Sequence, residues 1–301
     1  TESANRLPGV RAEEHRAPTR EQLCELAALS EVIVPRSFQD IDRDVLAAGA
    51  RGRLRAVVQA SAGQDNIDHQ TAAELGIRVV PVDPGNAVAV AELTLLSILA
   101  LHRDVPGHWT RTRAGRWPIR DRIDDPEIRE RRLGIVGIGR VGSRVARRAA
   151  AFEMRVHAAD PYVSSETFRE CGAERVERLE DLLEVSDVLS LHCPLTDETR
   201  DMIDAGALAR LPRGAFLVNT ARGGIVDETE LIEALDDGRV SGAALDVFRK
   251  EPPAPGGVLD HPRVLPTPHI GGHTHQSHRD RARNLVEALR TLSKDFGDET
   301  R

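Results

Sequence analysis

An apolar run, Leu133-Gly134-Ile135-Val136, leads directly into Gly137-Ile138-Gly139-Arg140-Val141-Gly142, and Asp160 follows eighteen residues after the last glycine. No other feature restricts the fold as strongly, because each residue type has a mechanical reason to be where it is. Gly137 permits a tight strand-to-helix turn, and Gly139 lets the backbone approach a pyrophosphate. Gly142 lets the following helix, Val141 to Phe152, pack closely on the strand. That helix aims its leading N–H groups and the positive end of its dipole at phosphates. A second strand, Arg155 to Ala159, delivers the Asp160 carboxylate to a ribose diol. No arginine follows Asp160 closely, and a carboxylate there repels a 2′-phosphate, so the pattern predicts NAD in preference to NADP. Glycines also serve ordinary turns. The strand before, the helix after and the acid in place make this spacing a dinucleotide site.

Strand-like and helix-like segments alternate along the whole chain, which predicts an α/β protein with parallel sheets. Helices are expected at Arg20 to Leu29, Ile41 to Gly49 and Asp68 to Leu75. Strands are expected at Glu31 to Pro35, Leu54 to Gln59 and Arg78 to Pro81. Ala87 to Leu101 has the length and periodicity of one buried helix. His102 to Arg132, rich in arginine, aspartate and proline and holding both tryptophans, marks a change of domain. Beyond it, strands are expected at Leu133 to Val136, Arg155 to Ala159, Val188 to Leu191, Ala215 to Val218, Val240 to Ala244 and Val264-Leu265, before a final amphipathic helix, Ser277 to Leu292. At 301 residues there is room for two cores. We therefore expect two Rossmann-like, doubly wound domains. Residues 1–100 with 273–301 would form a discontinuous, flavodoxin-like substrate domain, and residues 101–272 an inserted NAD-binding domain.

A formal charge of -7 argues against a dedicated nucleic-acid or membrane-surface role. Only two of the 41 basic residues are lysines, Lys250 and Lys294, so a single arginine says little by itself. Cys24, Cys171 and Cys193 are odd in number and far apart, as expected of reduced thiols. No apolar run reaches membrane-spanning length and no charged-then-apolar leader opens the sequence, so a cytoplasmic protein is expected.

Three residues outside the glycine loop carry usable chemistry, each just past a strand, where open α/β sheets bind ligands. Arg222 lies in Asn219-Thr220-Ala221-Arg222-Gly223, Glu251 precedes Pro252, and His269 lies in Pro268-His269-Ile270-Gly271. An imidazole gives or takes a hydroxyl proton near neutral pH. A carboxylate beside it favours the imidazolium and fixes the ring. A guanidinium polarises a carbonyl and grips a neighbouring carboxylate. The histidines His261, His269, His273, His275 and His278 invite a metal reading, but no acid or cysteine joins them at ligand spacing, and no metal is expected.

On these motifs, together with Asp160-Pro161, His192-Cys193-Pro194-Leu195-Thr196, Val226-Asp227-Glu228 and Gly242-Ala243-Ala244-Leu245-Asp246-Val247-Phe248, the chain resembles the D-isomer-specific 2-hydroxyacid dehydrogenases. The resemblance runs from about Glu31 to the C-terminus and looks closest to the phosphoglycerate dehydrogenase branch, although 301 residues leave no room for that branch's C-terminal regulatory domain. It implies NAD as cofactor, a small anionic 2-hydroxy or 2-keto acid as substrate, and a homodimer formed through the second domain. It implies catalysis by His269 as acid/base, Glu251 supporting it, and Arg222 binding the substrate. The loop Ser61-Ala62-Gly63 would offer backbone N–H groups to the substrate carboxylate. The cofactor would be bound by Gly137, Gly139, Arg140, Val141, Gly142, Asp160, His192, Cys193, Pro194, Thr199, Thr220, Ala221, Arg222, Asp246, His269 and Gly271. Asp246 would contact the nicotinamide amide, or it is a buried, hydrogen-bonded strand end. Where relatives read Ala-Gly-x-Gly-x-Asp-Asn, this chain has Ala60-Ser61-Ala62-Gly63-Gln64-Asp65-Asn66, and Pro81-Val82-Asp83 replaces the usual Asn-x-Pro. These departures leave open an enzyme of the same fold acting on an unusual small anion such as formate or phosphite. A non-catalytic NAD-sensing scaffold is the other alternative. The resemblance also predicts a βα unit before Arg20, yet Thr1 to Pro18 shows no apolar strand.

Overall fold

A computed structural model of the chain describes residues 3–36, 39–61, 63 and 65–298. They fall into two compact units that divide between Asn86 and Ala87 and between His273 and Thr274.

The first unit is built on three parallel strands, β1 (Val32–Ile33), β2 (Ala56–Gln59) and β3 (Arg78–Pro81), in the order β1-β2-β3. Its helices are α1 (Arg20–Leu29), α2 (Arg43–Arg51), α3 (His69–Glu74) and the C-terminal α11 (His275–Asp298). Side chains of a strand alternate between faces, and β2 is buried throughout. Val57 joins Ala27, Val45, Leu46 and Ala72 on one face. Ala56 and Val58 join Leu285, Leu289 and Leu292 of α11 on the other. The sheet is thus covered on both sides, and the last helix of the chain completes this unit, as a discontinuous domain requires. Thr19 starts α1 with a capping box to Gln22, and Asp42 and Asp68 cap α2 and α3 through their carboxylates. Before α1 the described residues hold only a short 3-10 turn, Ala4–Arg6, so the βα unit that the resemblance places there is not among them.

The second unit carries α4 (Ala87–His102), α5 (Val105–Arg113), β4 (Arg132–Val136), α6 (Gly142–Ala151), β5 (Arg155–Ala159), α7 (Ser165–Cys171), β6 (Glu174–Arg175), α8 (Leu179–Val185), β7 (Val188–Leu191), α9 (Ala205–Arg210), β8 (Ala215–Asn219), α10 (Glu228–Asp236), β9 (Val240–Leu245) and β10 (Val264–Pro266). Its seven strands are all parallel, in the order β10-β9-β8-β7-β4-β5-β6. The chain enters in the middle at β4, builds outward to β6, then crosses back to β7. That reversal leaves a crevice at the carboxyl ends of β4 and β7, where doubly wound sheets bind ligands.

Residues 87–100, expected in the substrate domain, belong to this second unit. Ala91, Leu95 and Ile98 of α4 share a buried cluster with Leu133 and Ile135 of β4 and Val145 and Ala149 of α6. Because α4 is apolar around most of its circumference, its sequence does not say which core it joins.

Candidate active site

At the end of β4 the backbone turns at Gly137 with φ +89°, a conformation that costs glycine little. A Cβ there would stand 2.8 Å from Cys193 N and His192 C, so the turn presses on the end of β7. Gly142 is equally restricted, since its Cβ would stand 2.0 Å from the Gly137 carbonyl oxygen. Gly139 differs, because a Cβ there would meet no protein atom within 4 Å. The protein's own packing does not require a glycine at 139, and the space beside it suits a pyrophosphate lying close to the backbone. Ser143 N–H donates to the Gly139 carbonyl and Val145 N–H to that of Val141. The amides of Arg140, Val141 and Gly142 therefore lie outside the ladder of α6, where the dipole favours an anion. Just past β5, Asp160 Oδ2 accepts the Ile138 N–H at 2.9 Å and Oδ1 that of Tyr162 at 2.9 Å, which leaves acceptor capacity for hydroxyls. The donor set and the space fit a dinucleotide.

The carboxyl ends of β8, β9 and β10 bring together Arg222, Glu251 and His269. His269 sits in the left-handed region at φ +53°, with its N–H donating to the Thr267 carbonyl at 3.0 Å. Its Nδ1 lies 2.7 Å from Glu251 Oε2. A carboxylate only accepts, so Nδ1 is the donor and Nε2 is left for chemistry. Glu251 Oε1 accepts the Phe248 N–H at 3.2 Å, which fixes the other end of the carboxylate. The hydrogen bond to Glu251 raises the His269 pKa above its ordinary value; burial opposes it, and the charge of Asp246 adds to it. Burial would raise Glu251, but the His269 contact and charge, the Phe248 N–H and the Arg222 charge hold it below the usual carboxylate range. Both directions describe an imidazolium–carboxylate pair. Asn219 shapes the Arg222 loop, its Oδ1 accepting the Ala221 N–H at 3.0 Å and its Nδ2 donating to the Arg222 carbonyl at 2.8 Å.

The other expected cofactor residues divide by what already occupies them. Asp246, 3% exposed, accepts from Thr267 Oγ1 at 2.6 Å, Ile270 N–H at 2.8 Å and Gly271 N–H at 2.7 Å. It thus ties down the loop on both sides of His269. Thr94 donates to the Val90 carbonyl at 2.8 Å, which leaves Thr220 to donate to Thr94 Oγ1 at 3.0 Å. The Thr199 hydroxyl is spent on the Pro194 carbonyl at 2.6 Å, closing the loop after β7. His192 stands 2.8 Å from Ser190 Oγ, and burial pushes its imidazole down to about 3. Burial likewise pushes the Cys193 thiol up to about 11, as in an inert side chain. In the first unit, Gln59 Nε2 holds Ser61 Oγ at 2.6 Å and the Gly63 carbonyl at 2.8 Å, which shapes that loop. Ala62, the third residue expected there, lies outside the described residues.

Sequence reading missed the residues that join the loops of the second unit. A Cβ on Gly223 would stand 1.9 Å from Phe248 C, so glycine is what allows the Arg222 and Glu251 loops to touch. Arg249 pairs with Asp201, and its N–H donates to Glu228 Oε1 at 2.6 Å, anchoring the same loop. Tyr162 donates its phenol proton to Glu198 Oε2 at 2.6 Å. Gly223, Glu228 and Phe248 stood within quoted motifs, but their partners are distant in sequence, so the contacts themselves left no signal.

Residues 95–271 match the family model described as D-isomer specific 2-hydroxyacid dehydrogenase, NAD binding domain. The chain is 36% identical over 274 residues to a D-3-phosphoglycerate dehydrogenase of Methanocaldococcus jannaschii, covering 91% of this chain and 52% of that protein. It is 41% identical over 259 residues to an (S)-sulfolactate dehydrogenase of Chromohalobacter salexigens, covering 86% of this chain and 83% of that one. The solved structure of a D-lactate dehydrogenase from Aquifex aeolicus, complexed with NAD and lactic acid, superposes with a TM-score of 0.84 at 29% identity. That match covers 93% of this chain and 86% of the other. The chain spans about half the length of the phosphoglycerate dehydrogenases it matches.

Proposed function

The chain belongs to the D-isomer specific 2-hydroxyacid dehydrogenase family, and from that premise we propose that it interconverts a D-2-hydroxy acid and its 2-keto acid with NAD as cofactor. The single observation that carries the reading is the His269–Glu251 pair at 2.7 Å, with the Arg222 charge acting on both. In the reducing direction His269 gives the Nε2 proton to the substrate carbonyl oxygen as it becomes a hydroxyl, and Glu251 keeps the ring oriented and charged until then. Arg222 grips the substrate carboxylate and draws charge toward the carbonyl oxygen. In the oxidising direction His269 takes the same proton back. When bound, the nicotinamide supplies the hydride to C2 or accepts it. Gly137, Gly139, Gly142 and the start of α6 would hold the pyrophosphate, and Asp160 the ribose.

The substrate is a small anionic acid. The names of the relatives, phosphoglycerate, sulfolactate and lactate dehydrogenases, share a 2-hydroxy carboxylate. A homodimer through the second unit would cover Val105, Trp109, Trp117 and Ile123, which are exposed by 40–64%. We place the protein in the cytoplasm, a reading supported by its three free cysteines. No helix among the described residues is long and apolar enough to cross a membrane.

The test is NADH oxidation, followed by its near-ultraviolet absorbance, against a panel of 2-keto acids that includes phosphorylated and sulfonated members. Turnover of one of them supports the assignment. Silence across the panel with NADH binding intact contradicts it.

A further inference from the structure

Asp201 sits in the left-handed region at φ +51°, a conformation that aspartate tolerates better than most side chains. It begins a short strap, 201–203, that runs beside the loop of Arg222. The Asp201 N–H donates to the Gly224 carbonyl at 2.9 Å and the Ile203 N–H to that of Ile225 at 3.0 Å. The Asp227 N–H returns to the Ile203 carbonyl at 3.1 Å. Ile203 is fully buried, so one end of the strap is rooted in the core. At the other end the Asp201 carboxylate accepts from the Arg249 guanidinium. Arg249 stands two residues before Glu251, and its backbone N–H is held by Glu228 Oε1 at 2.6 Å. Asp201 is therefore tied through its backbone to the loop that carries Arg222, and through its side chain to the loop that carries Glu251.

Folding alone gives little reason for this pair. The Arg249 and Asp201 side chains are 43% and 39% exposed, and ion pairs in water contribute little to stability. What the pair fixes is position. The close approach of Gly223 to Phe248 joins the two loops at one point, and a second attachment removes the pivot about the first. Glu251 Oε1 accepts the Phe248 N–H at 3.2 Å and Oε2 meets His269 Nδ1 at 2.7 Å, so any shift of residues 248–251 moves the carboxylate that orients the histidine. We propose that Asp201 and Arg249 form a clamp that sets Arg222 and Glu251 in register, both serving as positioning residues for the reaction. This rests on the dehydrogenase reading above and adds to it two residues that act through Arg222 and Glu251.

The test uses the full chain, a 2-keto acid that it turns over, and three variants. Asp201→Asn keeps a residue suited to the left-handed region, Arg249→Met keeps the aliphatic stem, and the third combines them. Reduction is followed across pH, with NADH titration and thermal melting alongside. Arg249→Met should lower kcat/KM about 10- to 100-fold, as a displacement of up to about 1 Å does. Asp201→Asn should lose less, since its amide oxygen still accepts. The double variant should match Arg249→Met, because partners in one contact do not add. NADH affinity and melting temperature should hold.

Glu251, Asp246 and Arg222 are the charged groups that act foremost on His269. A loosened Glu251 lowers the His269 pKa, so the loss of reduction with rising pH should move to lower pH in both single variants. Charge acting through space would behave differently, since removing a cation raises that pKa and removing an anion lowers it. Shifts in opposite directions would overturn the clamp. So would an unchanged kcat/KM in Arg249→Met, additive losses in the double variant, or a loss matched by weaker NADH binding and a lower melting temperature. An unaltered protein that reduces no 2-keto acid would overturn the clamp together with the reading on which it rests.

Discussion

Gly139→Ala should separate what the ligand needs from what the fold needs. The new methyl meets no protein atom within 4 Å, and Gly139 is not among the positive-φ glycines. Alanine is therefore compatible with the backbone, and replacing glycine at such a position stabilises by about 0.4–1 kcal/mol through the unfolded chain. The same methyl occupies the space in which a pyrophosphate would approach the backbone. Losing one charge-assisted amide–phosphate hydrogen bond costs about 1.5–3 kcal/mol, which corresponds to a rise of about 10- to 150-fold in the NADH Kd. Gly142→Ala should act in the opposite way, because its Cβ would lie 2.0 Å from the Gly137 carbonyl oxygen. Backbone must move there, at the roughly 1–3 kcal/mol typical of overpacking. Fluorescence titration of NADH and thermal melting on the same samples read both quantities. A Gly139→Ala protein that melts no lower and binds NADH poorly is the expected result. One that binds NADH normally, or melts several degrees lower, would refute the reasoning.

His269→Ala should lower turnover by about 10²- to 10⁴-fold, the usual share of a general acid, while the NADH Kd stays put; stopped-flow turnover with parallel titration checks both. Glu251→Gln takes the negative charge out of the contact that most raises the His269 pKa and leaves a weaker, neutral acceptor. Reduction needs the imidazolium and fades as pH rises through that pKa, so the fall in kcat/KM for reduction should move to lower pH, as a pH–rate profile will show. Gly223→Ala forces apart loops whose backbones meet at 1.9 Å from the added Cβ. A displacement of about 1 Å at a site of this kind costs about 10²-fold, so kcat/KM should fall by that order with NADH affinity retained.

The glycine loop was legible because its constraints are local: a turn, a close approach and a helix start within six residues. The strands of the second unit were legible as apolar runs, with β6 the exception. Glu174–Arg175 is two charged residues long and pairs only at the sheet edge, so it leaves no hydrophobic signal. Helix α5 was hidden for another reason. It opens with proline inside its first turn, and none of its residues is buried, so no apolar stripe announces it. At the site, Arg222, Glu251 and His269 could be chosen because each follows a strand, which places all three at one rim. Asp246 could not be resolved between two readings, since its three partners lie more than twenty residues away. Gly223 could be placed in the Asn219–Gly223 motif but not explained, because the backbone it touches at Phe248 is a tertiary neighbour that no local pattern encodes.

The most direct test of the central claim follows the hydride itself. Reduction of a 2-keto acid by NADH deuterated at C4 of the nicotinamide, with chiral analysis of the product, reads the transfer and its stereochemistry together. The account predicts a D-2-hydroxy acid carrying deuterium at C2. An L product, or a hydroxy acid formed without the label at C2 from either C4-deuterated epimer, would contradict it.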